Sequence, residues 1–203
     1  MATFSSLPAS EQARQLANPE GPIGLAVAEW LNGNNRQANA KIIAQLGLQS
    51  GCSVLEIGFG NGRAAPHIVG QAADVRYVGV DISGTMVDEA NRFNAALVAA
   101  GRVSFQLASA EHMSFADASF DRVFAIGVIH FWIDPITPLK EIRRVMRPGG
   151  FAIMGALDSR SPPDFPRTAF GVDLRQDAAC HALYRPEGSG GQQARERKPR
   201  QLS

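Results

Sequence analysis

Two periodicities alternate along the chain. From Cys52 onward, short apolar runs are separated by stretches with helical spacing. Ser53-Val54-Leu55-Glu56-Ile57 is an apolar run that closes in glycines and reads as a buried strand. Val75–Val80, Val103–Leu107, Phe120–Val128 and Phe151–Leu157 read as four more. A helix is expected from about Arg63 to Val69. Ser83 caps a long one whose apolar positions Met86, Ala90, Phe93, Leu97 and Ala100 step by 4, 3, 4 and 3 before Gly101 ends it. A further helix, from about Pro135 to Met146, carries Ile136, Leu139, Ile142 and Val145 on one side, and Pro148-Gly149-Gly150 turns the chain into the fifth strand. Strands alternating with helices predict an α/β fold: a doubly wound, mainly parallel sheet with five clear strands, covered on both faces.

Ahead of Cys52 the pattern is helical. Ala9–Ala17 reads as a short helix stopped by Asn18-Pro19-Glu20-Gly21-Pro22, and Ile23–Leu31 as a second. The Asn32-Gly33-Asn34-Asn35 cluster is expected to break it, with Asn35 capping a third helix over about Arg36–Leu46. After Asp158 the periodicity fades. Val172-Asp173-Leu174 and Ala182-Leu183-Tyr184 are the sole short apolar pieces, too little for two full strands. Pro186–Ser203 is rich in Gly, Gln and Arg and reads as disordered. Three parts follow: a helical segment over 1–47, an α/β core over 48–158, and a loop with a basic tail over 159–203.

Composition sharpens this division. With 203 residues and 45% apolar content, the chain has enough for one buried core. The net charge of +1 hides an asymmetry: 12 basic against 14 acidic residues up to Asp158, then 8 against 5. Nothing here demands nucleic acid or an acidic membrane as a partner. Cys52 and Cys180 stand far apart and outside any ligand spacing, so neither a disulfide framework nor a metal site is expected. The longest largely apolar stretch, Val123–Ile133, is too short to span a bilayer, and Met1–Gly24 lacks the basic start and apolar run of a secretory signal. The expected setting is soluble and cytoplasmic.

In open α/β sheets ligands sit at the carboxyl ends of the central strands. That place is occupied by Glu56-Ile57-Gly58-Phe59-Gly60-Asn61-Gly62. Glycines let the backbone turn sharply and approach a ligand, and the helix that follows offers free N–H groups. A dinucleotide fingerprint would need a small residue where Arg63 stands, and Glu56 would repel a pyrophosphate. Asp81, at the tip of the second strand, suits both hydroxyls of a ribose. Glu56 together with Asp81 favours a cationic adenosyl ligand, S-adenosylmethionine.

The ordered set Val54 to Gly62, Gly79-Val80-Asp81-Ile82-Ser83, Ala110 to Phe115, Phe120 to Phe124 and Leu139 to Phe151 resembles the class I S-adenosylmethionine-dependent methyltransferases. It looks closest to the branch of ubiquinone/menaquinone-type and many small-molecule enzymes, and covers about 36–158. The resemblance implies a Rossmann-like sheet. It implies that Gly58, Gly60 and Gly62 line the methionine part of the cofactor, with Asp81 on the ribose and Ile82 beside the adenine. Ala110 and Glu111 match an acidic loop that meets the adenine, although Ser109 stands where the family often has an acid. Gly127 matches the wall beside the transferable methyl. Residues 1–47 become a lid, with Trp30–Asn39 packing over the site.

The resemblance further implies methyl transfer by in-line displacement to a small-molecule acceptor, with no metal. The protein's task is positioning, worth roughly 7–11 kcal/mol. His130 is the one candidate general base, but reads as a structural or substrate-wall residue before it reads as a base; Phe131 and Trp132 read as core ahead of pocket wall. The family's terminal β-hairpin has no clear counterpart here. The chain is therefore expected to lack it, through truncation or a shifted reading frame, which leaves strand five as an edge open to self-association. Three functions stay open: an active methyltransferase, a cofactor-binding but inactive relative, and a nicotinamide-dependent oxidoreductase.

Overall fold

A computed structural model describes residues 4–155, 171–173 and 181–183. Five strands form one parallel sheet: β1 (Ser53–Ile57), β2 (Arg76–Asp81), β3 (Val103–Leu107), β4 (Phe120–Ile126) and β5 (Met146–Gly155), in the order β3-β2-β1-β4-β5. Every residue of β1 is buried, as a central parallel strand covered on both faces requires. Its alternate side chains feed two cores. Val54 joins Tyr77, Phe105 and Phe124 in a cluster with Ile42, Leu46, Met86 and Ala90, while Leu55 and Ile57 join Val80, Val123 and Met154 in a cluster with Ile142 and Val145. Strand order reverses between β1 and β4, so a crevice opens outside their carboxyl ends.

The helices are α1 (Ala9–Ala17), α2 (Gly21–Ala44), α3 (Ala65–Val69), α4 (Gly84–Phe93), α5 (Ala95–Ala99) and α6 (Ile136–Val145). Two depart from expectation. The Asn32-Gly33-Asn34-Asn35 cluster does not break the N-terminal helix, for α2 runs through it without interruption. Poor local propensity is outweighed there by tertiary contacts: Asn35 is buried, and Asn32 donates to Asn61 Oδ1 at 2.7 Å. Conversely, the helix after Ser83 is not continuous. Asn94 leaves helical geometry (φ −101°, ψ 20°) and separates α4 from α5. Its buried amide donates to the Gly62 carbonyl at 3.1 Å and the Ala90 carbonyl at 2.9 Å. The apolar spacing ran on across the break because α5 still rests Leu97 and Val98 on the same core.

At the end of the chain, among the described residues, no further strand joins the five-stranded sheet: β6 (Gly171–Asp173) pairs antiparallel with β7 (His181–Leu183), with Val172 opposite Ala182. These strands overlap the two short apolar pieces, at three residues each. They make a separate two-stranded sheet, and β6 lies alongside β5 without entering its ladder. The fifth strand also starts earlier than its apolar run. It begins at Met146 opposite Phe120 and passes through Pro148-Gly149-Gly150, with a register shift before Phe151 pairs with Arg122. The disorder expected for Pro186–Ser203 lies outside the described residues. Among those described, no helix is long and apolar enough to cross a membrane.

Gly33 offers a direct test of the uninterrupted α2. It has no positive φ, and a Cβ there would meet nothing within 4 Å. Gly33→Ala should therefore stabilise the protein by about 0.5–1 kcal/mol, read as a higher denaturant midpoint. A loss of stability would mean that the helix does break at this point.

Candidate functional site

The loop after β1 is shaped by what surrounds it. Gly58 has φ +71°, and a Cβ there would lie 2.2 Å from Val128 Cγ1. Only glycine satisfies both demands. Its N–H donates to the Val80 carbonyl at 2.8 Å, which ties the loop to β2. Asp81, nearly buried at the tip of β2, accepts from Gly60 N and from Ser83 N, both at 2.9 Å. One carboxylate thus joins the glycine loop to the start of α4, where the Ser83 hydroxyl caps the helix by accepting from Met86 N at 3.2 Å. At the far end of the loop, Gly62 packs so tightly on α4 that a Cβ would lie 2.7 Å from Ala90 Cβ.

Glu56 occupies the same face of the sheet. It pairs in register with Gly79 of β2 and is buried. The Tyr77 hydroxyl donates to Glu56 Oε2 at 2.6 Å. Burial pushes the Glu56 carboxyl up to about 8, and Asp81 pushes in the same direction while the Tyr77 hydrogen bond opposes them. Burial also raises Asp81, against the backbone N–H groups it accepts from. The Tyr77 phenol is raised well above its ordinary value by burial and by the adjacent acid. Two desolvated carboxyls on neighbouring strands make a site that a cation would relieve.

The N-terminal helices close on this loop. Asn61 donates to Glu29 Oε1 at 3.1 Å and accepts from Asn32, while Arg63 pairs with Glu29 and lays its guanidinium 3.8 Å from the centre of the Phe93 ring. The Ser83 hydroxyl donates to the Pro19 carbonyl, and Gly21 N donates to Thr85 Oγ1 at 3.1 Å. Trp30, on α2 beside these contacts, stays more than half exposed, with the Phe4 ring 5.9 Å away.

The remaining sequence-predicted residues follow the carboxyl ends of β2, β3 and β4. Ile82 is 52% exposed beside Asp81, an apolar surface left open to a ligand. Ala110 turns its side chain into the core on the α6 face, so only its backbone and Glu111, which is exposed, are available to a ligand there. Arg144 of α6 donates to the carbonyls of Met113 and Phe115 and thereby pins the loop that carries them. Gly127 N donates to the Gly155 carbonyl at 2.7 Å, closing the ends of β4 and β5 together. His130 lies on a short 3-10 helix, Ile129–Phe131, with its ring centre 4.1 Å from that of Phe131; partial burial lowers its pKa. Trp132 packs on the α6-side core while Phe131 stays exposed. The structure thus brings together Glu56, the glycines and Asp81, whereas among the described residues no hydrogen bond joins His130 to either acid. Sequence reasoning passed over Tyr77, Glu29 and Val128, and reached Asn32 only as part of the Trp30–Asn39 segment. Tyr77 alone carried a signal, since a tyrosine in a buried strand needs a partner for its hydroxyl.

Comparison with known proteins gives a consistent picture. Residues 55–154 match the methyltransferase domain family. The chain is similar to an O-methyltransferase of Aspergillus sclerotiorum, with 38% identity over 106 residues, which is 52% of this chain and 40% of that protein. It is similar to the ubiquinone/menaquinone biosynthesis C-methyltransferase of Geotalea daltonii, with 35% identity over 102 residues, or 50% and 43% of the two chains. It therefore spans less than half the length of these relatives. Among solved structures it superposes on phosphoethanolamine N-methyltransferase 2 of Haemonchus contortus, determined with S-adenosyl-L-methionine, at a TM-score of 0.59 and 27% identity, over 66% of this chain and 32% of that one.

Glu56 generates a pH prediction for the ligand-free protein. Its folded-state value of about 8 lies above the unfolded 4.5. The stability it contributes is therefore full below the lower value and is lost as pH rises towards the upper one, with a limiting slope of about 1.4 kcal/mol per pH unit. Denaturant unfolding of wild type and Glu56→Gln across that range should show the wild-type advantage shrinking with pH. Parallel pH profiles for the two proteins would count against a buried, neutral Glu56.

Proposed function

We propose that this chain, whose residues 55–154 match the methyltransferase domain family, is a class I methyltransferase that transfers a methyl group from S-adenosylmethionine to a small-molecule acceptor. The observation that carries this reading is the pair of buried acids at the carboxyl ends of β1 and β2, beneath a loop that glycine alone can form. That donor set suits a ligand with cationic groups at one end and a ribose at the other. No observation favours the inactive-relative reading over this one. The oxidoreductase reading is disfavoured by the same Glu56, which would face a pyrophosphate.

When bound, S-adenosylmethionine supplies a methyl group already activated by its sulfonium. The residues of this chain hold and screen. Glu56 offers its carboxylate to the amino-acid end, with Gly58, Gly60 and Gly62 as the backbone cradle. Asp81, whose oxygens accept from Gly60 and Ser83, offers its remaining acceptor capacity to ribose hydroxyls. Ile82 covers one face of the base, with Ala110 and Glu111 at its edge, and Gly127 leaves room where the methyl must pass. The helices of 1–47 act as a lid that excludes water, held by Glu29 and Asn32 on Asn61 and Arg63. His130, whose partial burial favours the neutral ring, takes the proton from a hydroxyl acceptor; exposed Phe131, Ile133 and Ile136 give that side an apolar wall. The free thiol of Cys52 fits a cytoplasmic setting.

Two measurements test this. Calorimetry should show binding of S-adenosylmethionine and S-adenosylhomocysteine and none of NAD. Asp81→Asn, which keeps the shape of the side chain, should weaken that binding by about 1.5–3 kcal/mol, and unaltered affinity would remove Asp81 from the ribose. His130→Ala should leave cofactor affinity intact while lowering turnover of a hydroxyl acceptor by roughly 10²–10⁴; a change confined to acceptor KM makes His130 a wall residue instead.

A further inference from the structure

Tyr77 has no role in the reading above, yet its hydroxyl is placed with care. The ring is 1% exposed and sits in the apolar cluster with Val54, Phe124 and Phe105, the last with ring centres 5.7 Å apart. Phenylalanine would fill that volume as well, and burying a hydroxyl is unfavourable unless it is partnered. The partner is Glu56 Oε2 at 2.6 Å. Room for this contact comes from Gly79, which stands opposite Glu56 in the β1–β2 register. A Cβ on residue 79 would lie 3.0 Å from the Tyr77 hydroxyl oxygen and 2.6 Å from Phe59 Cδ1. Any side chain there would crowd the phenol that reaches Glu56.

The two acids differ in how they are held. Asp81 has a backbone N–H on each oxygen, from Gly60 and Ser83. Glu56 is held by a side chain, on one oxygen, which leaves Oε1 for another donor. Among the influences on the Glu56 carboxyl, burial and Asp81 favour the neutral form and Tyr77 favours the charged form.

We infer that Tyr77 is a positioning residue of the cofactor site: its hydroxyl fixes one oxygen of Glu56 so that the other is presented, charged, to the ammonium group of an amino-acid-bearing adenosyl ligand. This rests on the proposed cofactor. It assigns to the β1–β2 pair a discrimination between adenosyl thioethers that carry an α-amino acid and those that do not. An ammonium group entering beside Glu56 replaces the missing positive partner, and the proton that leaves the carboxyl goes to solvent. Tyr77 and Asp81 are the titratable groups facing Glu56 from β2, and both belong to the same ligand response.

The test is calorimetric titration with two ligands, S-adenosylhomocysteine and 5′-methylthioadenosine, which share the nucleoside and the thioether sulfur but differ in the amino-acid arm. Tyr77→Phe should weaken S-adenosylhomocysteine about tenfold, as expected for the loss of a charge-assisted hydrogen bond, and leave 5′-methylthioadenosine unchanged. In a Glu56→Gln background the same substitution should add no further loss. Equal losses on both ligands, or none on S-adenosylhomocysteine, overturn the inference. As a variant that preserves the core, global 3-fluorotyrosine labelling alters two tyrosines, Tyr77 and Tyr184. Its more acidic phenol should tighten S-adenosylhomocysteine alone, and an effect on both ligands or on neither counts against Tyr77. Failure of the wild-type protein to bind either ligand would instead overturn the cofactor assignment on which the inference stands.

Discussion

Two carboxyl groups taken out of water at the ends of adjacent strands are the constraint around which this fold is arranged. Removing a carboxylate from water costs several kcal/mol unless partners replace the solvent. Asp81 obtains its partners from the backbone, and in doing so fixes the glycine loop to the start of α4. Glu56 has the Tyr77 hydroxyl and stays poorly compensated. The ligand-free site therefore favours the neutral form of Glu56, which a cation beside it would shift towards the charged one. The sheet supplies the geometry. Parallel strands in the order β3-β2-β1-β4-β5 bring the acids of β1 and β2 to one end and one face, next to the point where the winding reverses.

The parallel core was legible because its signals are local and strong. Ser53–Ile57 is apolar on both faces and stops in glycines, and β3 coincides with the apolar run Val103–Leu107. Ser83 announced its helix by its hydroxyl, and it caps that helix. What misled was propensity without context. Asn32 and Asn35 resemble helix breakers when read alone, but Asn32 is bound to Asn61 and Asn35 is buried, so α2 continues. Asn94 looked harmless within an apolar period, yet its amide is drawn to the Gly62 carbonyl and interrupts the helix.

The candidate site was legible to the extent that it depends on residue type at the end of a strand. Glu56, Gly58, Gly60 and Asp81 come together as their spacing implied. The residues that support them were not legible, because they arrive from distant parts of the chain: Glu29 and Asn32 from α2, Val128 from beyond β4, Arg144 from α6. No period in the sequence links those positions. The short pair β6 and β7 overlaps apolar pieces of only three residues, a pattern too short to be told from coil.

The contact between Gly62 and Ala90 carries a consequence for how this sequence can vary. The missing side chain of one and the single methyl of the other occupy one shared volume, which the Asn94 amide closes from above. Positions in the loop and in α4 therefore act as one steric unit. A larger residue at 90 would displace the glycine loop, although residue 90 itself faces the core. Libraries built to broaden the ligand range of this site should randomise 62, 90 and 94 jointly, because single-site scans would score each as intolerant and miss the combinations in which the volume is redistributed.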